Sequence, residues 1–304
     1  MVTFKNFTEK SRSKFKLPDF LHTTPGVPSS TQWWNTTDSE ETLKSNLKSR
    51  DSKLVLEKYG YLDNPISYDY NSTGFRSNEF DKGKGLVTLG CSFTFGTGLH
   101  LEEVWGNKLA DKLKLPLYNL GSAGTSINTA YRYLVTYLDK IDIHTVALLG
   151  PNNLRTEQIG KVYKSSTAVE ERNHIFNLGP WEQLHLEDPK LDKEYDFVEK
   201  YKKSFFLNEP NYVLNYSSNL NAIRYLCLKN HIRFVYIYLE DVRDYLNYVL
   251  YNNQDTHLTG ICKARDLSHW SKETHFFIAD LFFNSIHKKD THYNLSDYGI
   301  TSIH

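Results

Sequence analysis

The chain has 304 residues, with 36 basic and 36 acidic side chains and a formal net charge of zero at pH 7. This length is enough to bury a sizeable core in one large domain or in two smaller ones. The balanced charge lacks the basic excess that is typical of proteins that bind nucleic acid or anionic membranes, so we expect neither partner.

The three cysteines, Cys91, Cys227 and Cys262, are far apart in the chain. Their odd number and wide spacing argue against a disulfide framework and against a zinc site. The glycines do not have the spacing of a loop that cradles phosphate groups. We therefore expect no metal and no cofactor.

The first 16 residues are polar and lack the apolar core of a signal peptide. The sequence also contains no run of 18 apolar residues, which is what a membrane-spanning helix requires. We expect a chain that is made and folded in the cytosol. Later export, or packaging into a particle, is compatible with the sequence.

Residues 1–84 differ from the rest, because they are rich in Ser, Thr, Asn, Asp and Lys. Recurring leucines predict one helical stretch over 39–59, and alternating residues at 66–70 predict an edge strand that ends in a turn at 71–74. We expect this N-terminal extension to pack on the core rather than to fold alone.

From residue 85 onward, strand-like and helix-like patterns alternate. The strands are predicted at 86–89, 117–120, 145–149 and 233–238, and the helices at 102–113, 126–140, 219–230 and 271–287. Such alternation is typical of a parallel sheet with helices on both faces. Functional sites in these sheets lie at the C-terminal ends of the strands.

The domain at 85–304 carries a long insertion at about 151–209, with mixed charge and few apolar runs. A connection of this length usually has a purpose. One interpretation is a lid or substrate-binding cap over the site. The other is a surface that contacts a second copy of the chain in a homo-oligomer.

Four short blocks contain residue types that carry chemistry. They are Gly90-Cys91-Ser92, Asn119-Leu120-Gly121-Ser122-Ala123-Gly124, Gly150-Pro151-Asn152-Asn153 and Asp266-Leu267-Ser268-His269. The first three lie at the ends of predicted strands, and the fourth precedes the last predicted helix. Together they supply a nucleophile, a base, a group that orients the base, and oxyanion donors, which acyl transfer through a serine ester requires.

The order of these blocks resembles the SGNH hydrolases, also called GDSL-type esterases, over residues 85–287. The resemblance implies a flavodoxin-like α/β fold, a three-layer α/β/α sandwich with a central parallel sheet of about five strands. It implies that Ser92 is the nucleophile, that His269 is the base and that Asp266 orients His269. The backbone N–H groups of Ser92 and Gly124 and the side-chain amide of Asn152 would form the oxyanion hole.

The chain departs from the family pattern at two supporting positions. Cys91 and Asn153 stand where the family usually has aspartate. We interpret Cys91 as a packing residue, since alternation at a strand end points it away from Ser92. His275 is the other candidate for the base.

The resemblance predicts a carboxylic ester hydrolase that removes an acetyl or other short acyl group from a small molecule or a carbohydrate. An O-acyltransferase is an alternative that the blocks do not separate from a hydrolase, because only the acyl acceptor differs. A third interpretation is a structural or binding protein, such as a component of a virus particle, that keeps the fold without catalysis.

Overall fold

The computed structural model describes residues 24–164, 170–178, 209–252 and 264–287. Cys262, the first 23 residues and most of the insertion lie outside this part of the chain. The elements in chain order are β1 (Thr31–Gln32), α1 (Glu40–Asn46), α2 (Arg50–Lys58), β2 (Tyr68–Asp69), β3 (Gly85–Gly90), α3 (Ser92–Phe95), a 3-10 turn (Leu101–Glu103), α4 (Trp105–Leu113), β4 (Leu117–Asn119), α5 (Ile127–Tyr137), β5 (Ile143–Gly150), β6 (Thr156–Lys164), β7 (Glu170–Leu178), α6 (Glu209–Lys229), β8 (Arg233–Tyr238), α7 (Leu239–Asn252) and α8 (Lys272–His287).

Four of these strands form a parallel sheet in the order β4-β3-β5-β8. Gly90 at the end of β3 pairs with Leu149, and Gly150 at the end of β5 pairs with Tyr238 at the end of β8. The C-terminal ends of the central strands therefore meet at one edge, where the first three sequence blocks begin. This common edge is the position that parallel sheets use for sites.

Helices cover both faces of the sheet, and each face has its own buried apolar cluster. On one face Leu86 and Leu149 pack with residues of α4, α7 and α8; on the other, Val87 and Leu148 pack with α5 and α6. Within the first layer Trp105 of α4 stacks on Phe282 of α8, with ring centroids 4.6 Å apart. The predicted three-layer α/β architecture is confirmed, with four strands in the sheet among the described residues.

The N-terminal part is more broken than the sequence predicts. The single helical stretch expected over 39–59 is two short helices: α1 ends at Asn46, and Ser49 caps the start of α2 by accepting a hydrogen bond from the Ser52 N–H. The edge strand expected at 66–70 is only β2, which pairs antiparallel with β1.

Two helix starts also differ from the predictions. The chain is extended at Val104, so the stretch predicted as one helix over 102–113 is a 3-10 turn followed by α4. Helix α6 begins at Glu209, ten residues before the predicted start at 219. Apolar periodicity is weak in the first half of α6, where Val213 and Leu214 are exposed.

The insertion contains an antiparallel hairpin of β6 and β7, which the sequence analysis did not predict. Near the base of the hairpin, Glu157 pairs with Arg132 of α5 at 2.7 Å and accepts a hydrogen bond from Thr129 at 2.6 Å. The hairpin is therefore anchored to the outer helix of one sheet face. Among the described helices, none is both long enough and apolar enough to cross a bilayer.

Candidate active site

Ser92 is the first residue of the short turn α3, directly after the end of β3. The turn requires glycine at position 90, where φ is +149° and an added Cβ would lie 2.6 Å from the backbone oxygen of Leu149. The N–H of Ser92 has no acceptor within the helical turn, since it belongs to its first residue. Both the hydroxyl and this N–H thus lie at the C-terminal edge of the sheet.

The second block forms a loop beside Ser92. The Ser122 N–H donates to the Gly90 carbonyl at 3.2 Å, and the Asn119 side-chain amide donates to the Thr94 carbonyl in α3 at 3.0 Å. At the tip of this loop Gly124 has φ of +71°, and no heavy atom lies within 4 Å of where its Cβ would be. The loop is therefore tied to the turn that carries Ser92, while Gly124 borders open space.

The side-chain amide of Asn152 is held at both ends. Its Oδ1 accepts the Leu154 N–H at 2.8 Å, and its Nδ2 donates to Oε1 of Glu240 at 2.8 Å. An amide nitrogen has two N–H groups, so one remains for another acceptor. Glu240 lies in the first turn of α7, directly after β8, and pairs with Arg243 at 2.8 Å.

The loop with Asp266 and His269 is folded back on itself. The Ala264 N–H donates to the His269 carbonyl at 3.1 Å, and the Leu267 N–H donates to the Ala264 carbonyl at 2.8 Å. Leu267 has φ of +56°, an unfavourable value for a branched residue that the surrounding contacts must maintain. This tight loop brings the carboxylate and the imidazole together.

Nδ1 of His269 lies 2.6 Å from Oδ2 of Asp266. Oδ1 of Asp266 accepts the N–H groups of Ser268 and His269, both at 3.0 Å, and Oδ2 also accepts the hydroxyl of Thr37 at 2.6 Å. Burial alone would raise the pKa of Asp266, but the hydrogen bond and charge of His269, with the bonds from Thr37 and Ser268, lower this pKa to about 2. The carboxylate is therefore ionised at neutral pH and acts only as an acceptor, so Nδ1 of His269 carries the proton.

His269 lies against the turn that carries Ser92. The ring of Phe93, the residue after Ser92, is 4.9 Å from the His269 ring and 4.4 Å from the Trp270 ring. Among the described residues the Ser92 hydroxyl makes no hydrogen bond to His269. Catalytic hydrogen bonds are commonly long without substrate and tighten in the complex.

Cys91, the neighbour of Ser92, and His275, the other candidate for the base, both lie in the buried interior. The Cys91 side chain is completely buried in the apolar cluster that contains α4 and α8. His275 is also buried, and its Nδ1 accepts the N–H of Trp105, the first residue of α4, at 3.1 Å. Burial first, and then the nearby charge of His269, lowers the pKa of His275 to about 3, so this imidazole is neutral at pH 7.

Three residues of the N-terminal extension, Thr37, Asp38 and Arg76, bind the loops that form this site. This role was not predicted from the sequence. Besides Thr37, Asp38 forms a buried ion pair with Arg265 at 2.7 Å, and Arg76 donates to the carbonyls of Gly96 and Leu99 in the loop after α3. Arg76 lies in the N-terminal extension, which the sequence analysis expects only to pack on the core. Thr37 and Asp38 are ordinary polar residues in a polar region, and no local pattern distinguishes them.

The metal ligand types do not gather elsewhere in the described residues: no group of three or more His, Cys, Asp or Glu side chains there has the arrangement of a metal site. The site has the Ser92 hydroxyl at the C-terminal edge of the sheet, an imidazole oriented by an ionised carboxylate, and N–H donors on two neighbouring loops.

Two solved structures that are similar to this chain are lipolytic proteins of the G-D-S-L family. No family model and no curated protein matches the chain. One similar solved structure is a lipolytic protein of the G-D-S-L family from Desulfitobacterium hafniense DCB-2, at 13% identity and a TM-score of 0.29 over 65% of this chain and 97% of that one. Another is a member of the lipolytic protein G-D-S-L family from Veillonella parvula DSM 2008, at 10% identity and a TM-score of 0.32 over 68% of this chain and all of the other.

Proposed function

We propose that the protein is a serine esterase that hydrolyses a short-chain acyl ester through an acyl-enzyme on Ser92. The observation that carries the proposal is the buried, ionised Asp266 bound to Nδ1 of His269, with that imidazole against the turn that presents Ser92. A carboxylate bound at Nδ1 leaves Nε2 free as the base, which is the arrangement that activates a serine hydroxyl.

In the first half of the reaction the Ser92 Oγ attacks the ester carbonyl while Nε2 of His269 takes the hydroxyl proton. The new O–C bond converts the carbonyl oxygen into an oxyanion. The N–H groups of Ser92 and Gly124 and the free N–H of Asn152 would donate to it. When the tetrahedral intermediate collapses, the bond to the alcohol oxygen breaks and His269 returns its proton to that oxygen.

In the second half a water molecule attacks the acyl carbon of the Ser92 ester. His269 takes one proton from this water, and the second intermediate collapses when the bond to Ser92 Oγ breaks. The proton passes from His269 to Ser92, and a carboxylic acid leaves. Asp266 stays ionised throughout and stabilises the imidazolium form of His269 in both halves.

The proposed substrate is an ester of a small acyl group on a small molecule or a carbohydrate. Hydrolysis of p-nitrophenyl acetate by the wild type and by Ser92→Ala tests the reaction, with a fluorophosphonate probe as a measure of Ser92 reactivity. Ser285→Ala is the matched control, because it removes an exposed serine hydroxyl on α8.

We expect turnover and labelling by the wild type and by Ser285→Ala, and a loss of both in Ser92→Ala. Equal rates for the wild type and Ser92→Ala would refute the esterase. Labelling of Ser92 without Ser92-dependent hydrolysis would contradict hydrolysis and favour transfer of the acyl group to an alcohol.

A further inference from the structure

We infer that the N-terminal segment 33–46 contributes to the active site by orienting Asp266. In this role Thr37 is a positioning residue, which holds the Asp266 carboxylate in the orientation that His269 requires. The inference rests on the proposed function, since it assigns Thr37 a role in the same serine-esterase reaction. It is supported by contacts that residues outside the four sequence blocks make with the loop of Asp266.

Thr37 and His269 bind the same carboxylate oxygen. The Thr37 hydroxyl and Nδ1 of His269 both lie 2.6 Å from Oδ2 of Asp266. The other oxygen, Oδ1, is occupied by two N–H groups of the same loop. With Thr37 in place the Asp266 side chain is completely inaccessible to solvent, so the Thr37 hydroxyl, and not water, is the second hydrogen-bond partner of Oδ2 beside His269.

The segment that carries Thr37 is clamped to the loop of Asp266 by neighbouring contacts. Asp38, the residue after Thr37, binds Arg265, the residue before Asp266, through two hydrogen bonds of 2.8 and 2.7 Å. The indole of Trp34 lies over the Arg265 guanidinium, 4.4 Å away. Two adjacent residues of the segment therefore bind two adjacent residues of the loop, which fixes Thr37 relative to Asp266.

The third attachment is at the end of α1. The Asn46 side-chain amide donates to the backbone carbonyl of Asp266 at 3.4 Å. The segment thus binds Asp266 at its side chain and at its backbone, from residues 229 and 220 positions away in the chain. A segment that served only as a cover would not need to bind the carboxylate oxygen that orients the base.

Thr37→Val tests the role, because valine has nearly the same shape and lacks the hydroxyl. Thr37→Ser keeps a hydroxyl and is the rescue variant. Thr31→Val is the matched control, since it removes a hydroxyl that donates to Asp69 on β2, at 2.5 Å, away from the site. Each variant is measured in the full chain for kcat and KM on p-nitrophenyl acetate, beside Ser92→Ala, and for its melting temperature.

We expect Thr37→Val to lower kcat roughly ten- to a hundredfold, the effect of losing a hydrogen bond to a charged group in the transition state, with KM little changed. Thr37→Ser should recover most of kcat, and Thr31→Val should keep it. A fall in melting temperature without a fall in kcat would mean that Thr37 is only structural, and would overturn the inference.

A second readout does not depend on turnover. The Nδ1 proton of His269, bound to a buried carboxylate, is expected to give a downfield proton NMR signal that disappears in His269→Gln. Thr37→Val should shift this signal, and Thr31→Val should not. An unshifted signal in Thr37→Val overturns the inference whatever the kinetics. If Ser92→Ala keeps full turnover while the signal shifts, the proposed function fails and the link from Thr37 to His269 stands.

Discussion

The carboxylate of Asp38 accepts hydrogen bonds from Nε and Nη2 of Arg265, and the two side chains are 1% and 4% exposed. Asp38 also accepts the hydroxyl of Tyr68, which in turn accepts the Gly98 N–H at 2.8 Å. This buried network joins the N-terminal segment, the loop after the Ser92 turn and the loop of His269. Because the network is buried, removing one partner leaves another polar or charged group without a hydrogen bond and without water.

Arg265→Met should destabilise the fold by about 3–5 kcal/mol, since it leaves the Asp38 carboxylate buried without its partner. Urea unfolding followed by circular dichroism measures the change. Asp38→Asn combined with Arg265→Met should recover part of the loss, because no unpaired charge remains. Lys44→Met removes the exposed pair with Glu40 and should leave the urea midpoint unchanged. A double variant as unstable as Arg265→Met would contradict this account.

Glu240 should position the proposed oxyanion donor Asn152, because it accepts one N–H of the Asn152 amide at 2.8 Å. We expect Asn152→Ala to lower kcat by about 10²–10³. Glu240→Ala should have a smaller effect in the same direction, since Asn152 keeps its amide but loses its orientation. Arg243→Met is the control, as it removes the other partner of Glu240 and leaves the bond to Asn152. Unchanged kcat in Glu240→Ala would remove Glu240 from this role.

His275 should make the fold sensitive to acid. Its pKa in the folded protein is lowered to about 3, mainly by burial, whereas the unfolded chain has a value near 6.5. The unfolded state therefore binds a proton first, so stability that is complete above pH 6.5 is lost progressively as the pH falls towards 3. His275→Gln should show a shallower decrease in melting temperature between pH 6.5 and 4. An identical decrease in both proteins would exclude His275 as the cause.

Gly90 and Gly124 both have positive φ, but they should respond differently to alanine. Gly124→Ala should cost about 1–2 kcal/mol, the cost of a left-handed conformation for a residue with Cβ, because its surroundings are open. Gly90→Ala should cost more and distort the Ser92 turn, because its Cβ would also meet the Leu149 carbonyl at 2.6 Å. Melting temperatures and fluorophosphonate labelling measure both effects. Equal losses in the two variants would contradict the steric argument.

Much of the architecture could be predicted from the sequence. The four strands of the sheet were predicted close to their observed bounds, and β8 was predicted at 233–238, where it is. Strands β3 and β5 are visible in the sequence because burial on both faces requires a continuous apolar run. The hairpin of β6 and β7 was missed, since the mixed-charge insertion contains no run of that kind.

The residues of the candidate site could be proposed from the sequence because each block stands next to a recognisable element. Ser92 and Asn152 follow apolar strands, and Asp266 and His269 are only three positions apart, so local spacing brings them together. Their catalytic roles stay predictions until Ser92→Ala is measured. The sequence left the surroundings of Cys91 and His275 open. In the structure both side chains are buried.

The sequence by itself determined the alternation of strands and helices and the order of the four blocks, since both depend on local apolar patterns and short spacings. The tertiary structure alone decided that Thr37 binds Asp266, that Asp38 binds Arg265 and that Glu240 binds Asn152. These contacts join residues 229, 227 and 88 positions apart. A hydrogen bond across such a separation depends on how the elements pack in three dimensions, and a single threonine or aspartate in a polar segment carries no local sign of it.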